Sequence, residues 1–287
     1  MGGNVTRGAA AAGTRALGEL EVRRIGFGAM RITGSGVWGE PESPEGARRV
    51  LRRAVELGVN LIDTADSYGP EVSERLIAEA LHPYPDDLVI ATKGGFTRPG
   101  PGSWRADGRP EHLRRACEGS LQRLRLERID LYQLHTVDPR VPFAESVGAL
   151  AELRGEGKIR HVGLSNVDVD RLATAREIVP VVSVQNRYSV AERDGEAVVE
   201  RCESDGLAFL PYFPLVAGWV TENRGPWERI ARAHGASVAQ VALSWLVRHS
   251  PAIVPIPGTS SVRHLEENVA SGQLELSDEE METLAAG

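Results

Sequence analysis

The chain has 287 residues, a formal net charge of −7, and a composition of 41% hydrophobic and 25% charged residues. These values are typical of a globular protein with a sizeable core, and the negative charge argues against nucleic acid or an anionic membrane as the main partner. The two cysteines, Cys117 and Cys202, lie outside any C-x-x-C pattern, so we expect no disulfide framework, no metal site and a reducing, cytoplasmic location.

The chain begins with the small residues MGGNVTRGAAAAGTRALG, and we expect residues 1–18 to form a flexible N-terminal tail. The longest apolar run of this tail is four alanines, which is too short for the core of a signal peptide. No stretch of the chain approaches the ~20 apolar residues that cross a bilayer. No proline- or serine-rich linker divides residues 19–287, so they are expected to form one domain.

After the tail, short apolar runs alternate with amphipathic stretches of helical length. Strands are predicted, in chain order, in RRIGFGAM, VNLIDTAD, DLVIATKGG, RIDLYQLHT, IRHVGLSN, PVVSVQN, LAFLPYFPL and AIVPIPGTS. The helices that follow them are predicted in PEGARRVLRRAVELG, EVSERLIAEAL, PEHLRRACEGSLQRLRL, PFAESVGALAELRGEG, DVDRLATAREI, GEAVVERCESDG, SVAQVALSWLVRH and SVRHLEENVAS. An additional C-terminal helix is predicted in SDEEMETLAA, with Ser277 as its N-cap.

Eight strand–helix pairs with strongly apolar strands predict an α/β protein whose parallel sheet is covered by helices. If the eight units close on themselves, they form a single (β/α)8 TIM barrel with the additional C-terminal helix on its outside. An open, doubly wound sheet is the structural alternative. In a barrel of this class, the C-terminal ends of the strands form the active face.

The stretch GSGVWG, Gly34 to Gly39, has the G-x-G-x-x-G spacing of a dinucleotide-binding loop. Such a loop needs a strand directly before it and a helix that opens directly from it. Here EPESPEG follows, and its two prolines and three acids exclude a helix start at Gly39 and repel a phosphate. We interpret the stretch as the loop after the first strand, in which Trp38 closes over a flat substrate ring.

Polar residues follow several of the predicted strands. Asp63 follows NLI, Lys93 follows LVIAT, His135 follows DLYQL, and Tyr68 lies in the loop after Asp63. A neighbouring ammonium is expected to lower the pKa of the Tyr68 phenol, while Asp63 holds Lys93 and neutral His135 donates a hydrogen bond to a carbonyl oxygen. An acid beside a polarised carbonyl suits reduction, provided that a hydride donor lies close by.

The segments LIDTADSYGPE, VIATKGG and IDLYQLHTVDP occur in this order and resemble the aldo-keto reductase superfamily, from about Leu20 to the C-terminus. The resemblance implies that Asp63, Tyr68, Lys93 and His135 form a catalytic tetrad. Tyr68 is then the general acid, and hydride comes from C4 of a nicotinamide. The branch most similar to this sequence contains bacterial pyridoxal reductases and general aldehyde reductases, which implies a small carbonyl substrate at Trp38, Tyr68 and His135.

The resemblance also implies NADPH or NADP+, in preference to NADH, bound across the barrel mouth without a glycine fingerprint. The implied cofactor contacts are Ala29, Met30, Asp63, Ser165, Asn166, Gln185, Tyr212, Phe213, Pro214, Leu215, Gly218, Gly258, Thr259, Ser260, Arg263, His264, Glu267 and Asn268. Three of them depart from the family's usual residues. Phe213 stands in place of a serine, Gly258 in place of a lysine, and His264 in place of an arginine, with Arg263 beside it.

Two other functions remain open at this point. A class I aldolase also uses a lysine on a barrel strand, which would make Lys93 a Schiff-base residue. A nucleotide-sensing subunit with little turnover, like the potassium-channel β subunits of the same fold, would keep the cofactor site. The presence of all four tetrad positions favours the reductase, and no pattern specifies an oligomeric state.

Overall fold

The computed structural model describes residues 8–215 and 224–285. The described chain starts with a 3-10 turn over Ala9–Ala12 and a hairpin of β1 (Thr14–Leu17) and β2 (Leu20–Arg23). Leu17 and Val22 are fully buried and pack against the apolar residues at the N-terminal ends of the barrel strands. The prediction of a flexible tail is therefore wrong for residues 8–18, because these two side chains close one end of the barrel.

Nine further strands follow in the described residues. They are β3 (Phe27–Gly28), β4 (Leu61–Asp63), β5 (Val89–Gly94), β6 (Phe96–Thr97), β7 (Arg105–Ala106), β8 (Ile129–Leu134), β9 (Ile159–Ser165), β10 (Val181–Gln185) and β11 (Ala208–Phe209). β6 and β7 form a small antiparallel hairpin. The other seven are parallel neighbours in the order β3, β4, β5, β8, β9, β10, β11.

Residues 252–257 close this sheet into a barrel. On one side they bond to both backbone groups of Phe209 at 2.8 Å, and on the other they accept the amides of Gly26 at 2.9 Å and Gly28 at 3.3 Å. The two prolines of the segment have no N–H to donate, which leaves its ladder incomplete and explains why it is not a regular strand. The predicted eight-stranded barrel is confirmed, and the open sheet is wrong.

The helices of the described residues surround the barrel. They are α1 (Pro44–Glu56), α2 (Val72–Leu81), α3 (Pro110–Leu124), α4 (Phe143–Gly155), α5 (Val169–Ile178), α6 (Glu196–Ser204), α7 (Arg224–Ala233), α8 (Val238–His249), α9 (Val262–Ala270) and α10 (Asp278–Ala285). The predicted C-terminal helix is α10, and Ser277 caps it by accepting the Glu280 amide at 3.2 Å. Helix α7 was not predicted, because Gly225 and Pro226 interrupt its sequence pattern.

The core lies between the barrel and these helices, whose apolar faces are buried. Leu113 and Cys117 of α3 and Leu150 and Leu153 of α4 are fully enclosed against β8 and β9. Because the β1–β2 hairpin covers the N-terminal end of the barrel, the loops at the opposite end are free to form a site. No described helix combines the length and apolarity required to span a membrane.

Candidate active site

The carboxyl ends of neighbouring strands bring the four predicted catalytic residues together. Asp63 ends β4, Lys93 lies near the end of β5, His135 directly follows β8, and Tyr68 comes from the loop between β4 and α2. All four are buried. The Lys93 ammonium lies 2.6 Å from Asp63 Oδ2 and 5.2 Å from the centre of the Tyr68 ring, which meets the His135 ring edge-on at 5.8 Å.

Several buried hydrogen bonds hold the Asp63–Lys93 pair in place. Asp63 Oδ1 accepts from Gln133 Nε2 at 3.0 Å and from Gln185 Nε2 at 2.8 Å, while the Lys93 ammonium also donates to the Thr64 carbonyl at 2.7 Å. Burial lowers the pKa of Lys93, and the adjacent carboxylate opposes this effect. A buried charge of this kind persists only when it is paired and hydrogen-bonded, so the pair is a fixed electrostatic element.

The proton on Tyr68 is held more firmly than the sequence predicted. Burial, and secondarily the Asp63 charge, raise the pKa of Tyr68 well above its ordinary value. The expectation that Lys93 lowers this pKa is wrong for this state, because Asp63 compensates the ammonium and burial disfavours the phenolate. Tyr68 is therefore a protonated phenol at neutral pH.

His135 is neutral, as expected from the sequence. Burial, reinforced by the Lys93 charge, lowers the pKa of His135 well below its ordinary value. Its Nδ1 lies 3.4 Å from the Ser67 hydroxyl. With Ser67 as the donor, the neutral ring carries its proton on Nε2 and keeps one hydrogen bond to give.

A cavity of about 700 Å³ opens above these residues. Tyr68, His135 and Asp63 contribute to its floor, whereas Lys93 is not part of its wall. Phe96 and Trp104, from the β6–β7 hairpin, form an aromatic side, and the Phe96 ring meets His135 at 4.7 Å. A carbonyl group in the cavity can reach the phenol and the imidazole, but it has no open approach to the Lys93 amine.

The polar side chains expected at a nicotinamide also line the cavity. These are the Ser165 hydroxyl and the amides of Asn166 and Gln185, together with Tyr212. Tyr212 donates to Asn166 Oδ1 at 2.7 Å, and Asn166 Nδ2 donates to the His135 carbonyl at 3.0 Å and to Ser165 Oγ at 3.1 Å. This network fixes the side chains next to His135. The Gln185 amide nitrogen is already bonded to Asp63, so Gln185 also positions that carboxylate.

The cavity continues between β3 and the closing segment. Met30, Gly258, Phe213, Pro214 and Leu215 line this part, as expected from the sequence. Phe213 is 40% exposed and has a φ of +50°, an uncommon conformation for a residue with a side chain. Of the remaining predicted cofactor contacts, Gly218 lies outside the described residues.

The last group of predicted cofactor contacts surrounds the start of α9. Ser261 caps this helix by accepting the His264 amide at 3.4 Å, and Thr259 Oγ1 accepts the Ser261 amide at 3.0 Å. Arg263 has a side chain that is 76% exposed and lies 3.6 Å from Glu267. Ser260 is exposed and Asn268 is buried, and the group follows Gly258, a residue of the cavity wall, in the chain. The positive end of a helix dipole, with hydroxyls and the Arg263 guanidinium beside it, fits a phosphate group.

The comparisons with known proteins agree with this geometry. Residues 24–286 match the model of the Aldo/keto reductase family. The chain belongs to the aldo-keto reductases. It is 48% identical over 271 residues to the "Uncharacterized oxidoreductase C215.11c" of Schizosaccharomyces pombe, covering 94% of this chain and 88% of the relative.

Two further similar proteins have a named function or a bound ligand. Pyridoxine 4-dehydrogenase of Escherichia coli is 43% identical over 277 residues, covering 94% of this chain and 96% of the relative. The solved structure of an aldo-keto reductase from Klebsiella pneumoniae in complex with NADPH superposes with a TM-score of 0.79 at 28% identity, covering 95% of this chain and 94% of that one.

Ala29 and Trp38, two expected contacts of this aldo-keto reductase, lie outside the cavity wall, as do the expected contacts Thr259, Ser260, Arg263, His264, Glu267 and Asn268. Ala29 is fully buried behind Met30, where its carbonyl accepts the Ser73 hydroxyl at 3.1 Å. Trp38 is not among the lining residues, although its neighbour Val37 is. The Trp38 ring instead lies 5.4 Å from the Arg98 guanidinium, which stacks at 3.6 Å on Trp104. Trp104, rather than Trp38, faces the cavity.

Sequence reasoning missed Phe96 and Trp104. Both belong to FTRPGPGSW, a glycine- and proline-rich segment after β5, in which Phe96 begins the two-residue strand β6 and Trp104 directly precedes the two-residue strand β7. Such strands show no periodicity, but two aromatic residues in an otherwise flexible insertion at the active face were an available signal. The described residues contain no group of three or more His, Cys, Asp or Glu side chains arranged to hold a metal ion.

Proposed function

We propose that the protein is an NADP-dependent aldo-keto reductase that reduces aldehydes or ketones to alcohols. The observation that carries this proposal is the protonated, buried Tyr68 at the cavity floor, between the Asp63–Lys93 pair and neutral His135. The similarity to the pyridoxine 4-dehydrogenase of Escherichia coli and to the NADPH-bound structure from Klebsiella pneumoniae supports the same reaction class.

The bound nicotinamide would supply the hydride. Neutral His135 donates a hydrogen bond to the carbonyl oxygen and fixes its direction. Tyr68 transfers its proton to the same oxygen as negative charge develops there, since an alkoxide is a much stronger base than a phenolate. The Lys93 ammonium, held 5.2 Å from the Tyr68 ring, stabilises the phenolate that remains, and Asp63 keeps that ammonium in place.

The chain's residues fit a dinucleotide laid from the tetrad to the start of α9. Asn166, Ser165 and Tyr212 would hold the nicotinamide end, and backbone is exposed where Gly28 and Gly258 meet. A Cβ atom on Gly258 would lie only 2.7 Å from the Gly28 carbonyl oxygen, so position 258 has no room for a side chain. We favour NADPH over NADH because Arg263 and His264 place basic groups at the adenosine end.

The aromatic side of the cavity favours a flat substrate. The Phe96 and Trp104 rings contact each other edge-on at 5.4 Å and lie 4.7 and 6.4 Å from the His135 ring. A pyridoxal-like or aromatic aldehyde buries its ring against these side chains. We place the enzyme in the cytoplasm, where the two buried free thiols, Cys117 and Cys202, remain reduced.

Oxidation of NADPH with pyridoxal, 4-nitrobenzaldehyde and methylglyoxal tests the proposal. We expect turnover with the aromatic aldehydes and a lower KM for them than for methylglyoxal. Tight NADPH binding without turnover of any carbonyl compound would contradict it and would favour a nucleotide sensor. Borohydride trapping of a substrate on Lys93 would favour an aldolase, although that amine lies outside the cavity wall and is engaged by Asp63 and Thr64.

A further inference from the structure

Arg31 occupies a position in the cavity that no sequence pattern singled out. It belongs to the 3-10 turn Ala29–Ile32 that follows β3, and its side chain is exposed at the cavity wall. Among the described residues of that wall, Arg31 is the only lysine or arginine. His135, the other basic side chain there, is neutral. Arg31 is thus the one permanent positive charge in the described wall.

The position of Arg31 follows from the tight approach of β3 to the closing segment. The Gly28 amide donates to the Pro257 carbonyl at 3.3 Å, and a side chain on Gly258 would collide with the Gly28 carbonyl oxygen. The Arg31 Cγ lies 3.4 Å from where a Cβ of Gly258 would stand. The stem of Arg31 therefore lies over Gly258 and brings a guanidinium to a place where residue 258 itself cannot supply a charge.

The charge of Arg31 is available to a ligand. None of the acidic groups in the described ranges forms an ion pair with it, whereas Arg263 lies 3.6 Å from Glu267. Asp63, the acidic residue of the same wall, is already bonded to Lys93 and two glutamines. An unpaired guanidinium at a concave surface is suited to a phosphate, which it binds through two parallel hydrogen bonds.

We propose that Arg31 binds the pyrophosphate of the dinucleotide cofactor. This inference rests on the proposed function. In the cavity wall, Arg31 follows Met30 in the chain and packs over Gly258, which leads in the chain to the start of α9. A dinucleotide that spans from the nicotinamide residues to Thr259 and Ser260 passes its two bridging phosphates over this point. Their two negative charges then meet the only permanent cation of the described wall.

The test compares the affinities of NADP+ and NAD+ for the wild type, Arg31→Ala, Arg31→Lys and Arg263→Ala, measured by titration calorimetry. Both nucleotides carry the pyrophosphate, and only NADP+ carries the 2′-phosphate. We expect Arg31→Ala to weaken both by a similar factor, on the order of 10-fold or more for a lost charged hydrogen-bond pair. Arg31→Lys should restore part of the loss, and Arg263→Ala, the matched control, should weaken NADP+ alone.

The other outcomes each overturn the proposal. A loss confined to NADP+ would assign Arg31 to the 2′-phosphate, and unchanged affinity for both nucleotides with a raised KM for anionic aldehydes would assign it to the substrate. Unchanged affinity and KM would leave it without a ligand. The wild type reports separately on the proposed function, because failure to bind either nucleotide would refute that function before any variant is compared. Circular dichroism melting of Arg31→Ala checks that the variant is folded.

Discussion

Tyr68 shows how a single side chain is tuned by what surrounds it. Its phenol is kept protonated by burial, and Lys93 can help only once negative charge appears on the oxygen. Burial lowers the pKa of His135, and the same ammonium lowers it further, so the imidazole is neutral. The Lys93 ammonium therefore stabilises negative charge on Tyr68 and disfavours positive charge on His135, and Asp63 holds this ammonium in place.

Replacement of Tyr68 by phenylalanine removes the proton donor and keeps the ring. We expect carbonyl reduction to fall by roughly 10²- to 10⁴-fold, the range for loss of a general acid. The affinity for NADPH should stay nearly unchanged, since the ring that fills the site remains. Steady-state oxidation of NADPH and a nucleotide titration measure the two effects, and a variant with a normal kcat would refute the assignment.

His135 also makes stability depend on pH. Its pKa is depressed in the folded protein, whereas a histidine in the unfolded chain titrates near ~6.5. Below that pH, His135 is protonated in the unfolded chain but stays neutral in the folded protein. The free energy of unfolding therefore decreases as the pH falls. His112 and His161, whose pKa values are also lowered, contribute in the same direction.

His135→Asn isolates the contribution of His135. The other two histidines are present in both proteins, so their effect cancels. The unfolding free energy of the wild type minus that of the variant should decrease as the pH falls from about 7.5 to about 5.5, because only the wild type carries His135. Urea unfolding followed by circular dichroism measures it. A difference that stays constant across this range would mean that His135 is protonated at the same pH in both states.

At the scale of elements, one arginine connects three loops above Asp63, Tyr68, Lys93 and His135. Arg98 follows β6 and donates to the Ser103 carbonyl at 2.9 Å within its own hairpin. It also donates to the Val37 carbonyl at 3.0 Å, in the loop after β3, and to the Ser67 carbonyl at 2.9 Å, next to Tyr68. Its guanidinium stacks on Trp104. The hydrogen bonds and the stacking contact of Arg98 therefore hold the aromatic side of the cavity in position.

Arg98→Lys tests this role. A lysine keeps the charge but cannot make the same set of fixed hydrogen bonds or stack as a plane. We expect the KM for aromatic aldehydes to rise several-fold, with a smaller change for methylglyoxal, which makes little use of Trp104. Arg105→Lys, at an exposed position of the same hairpin, is the matched control. Equal changes in KM for both classes of aldehyde would argue against a clamp on the aromatic side.

The contrast between tetrad and hairpin explains what sequence can reveal. Asp63, Lys93 and His135 were predicted because a polar residue directly after an apolar strand stands out, and barrel geometry makes such residues converge. Trp104 and Arg31 lie in short turns, where neither periodicity nor strand position indicates direction. Trp38 was assigned to the cavity in place of Trp104 for the same reason.

At the scale of the whole molecule, the N-terminal hairpin was the main error of sequence interpretation. An alanine- and glycine-rich beginning predicts disorder, and the alternation in TRAL and LEVR is too short to count as a strand on its own. Tertiary contacts order the segment: Leu17 and Val22 pack into the end of the barrel, and no local sequence pattern predicts this packing. Helix α7 was missed for the local reason that glycine and proline stand in its first turn.

Leu17→Ala measures what this closure contributes. Truncation of a fully buried leucine costs about 2–5 kcal/mol of unfolding free energy. The kcat should not change, because the hairpin lies at the end of the barrel opposite the tetrad. Ala16→Ser, at an exposed position of the same strand, should stay within about 0.5 kcal/mol of wild type in the same urea titration. A similar stability for both variants would show that the barrel does not need its hairpin.

The incomplete ladder between β3 and residues 252–257 joins the beginning of the barrel to its end. Gly28 and Met30 on one side of this seam, and Pro257 and Gly258 on the other, line the same cavity. A nucleotide bound there touches both, so its binding energy opposes the separation of the first and last strands. The lifetime of the protein against cellular proteases would then follow the size of the nucleotide pool.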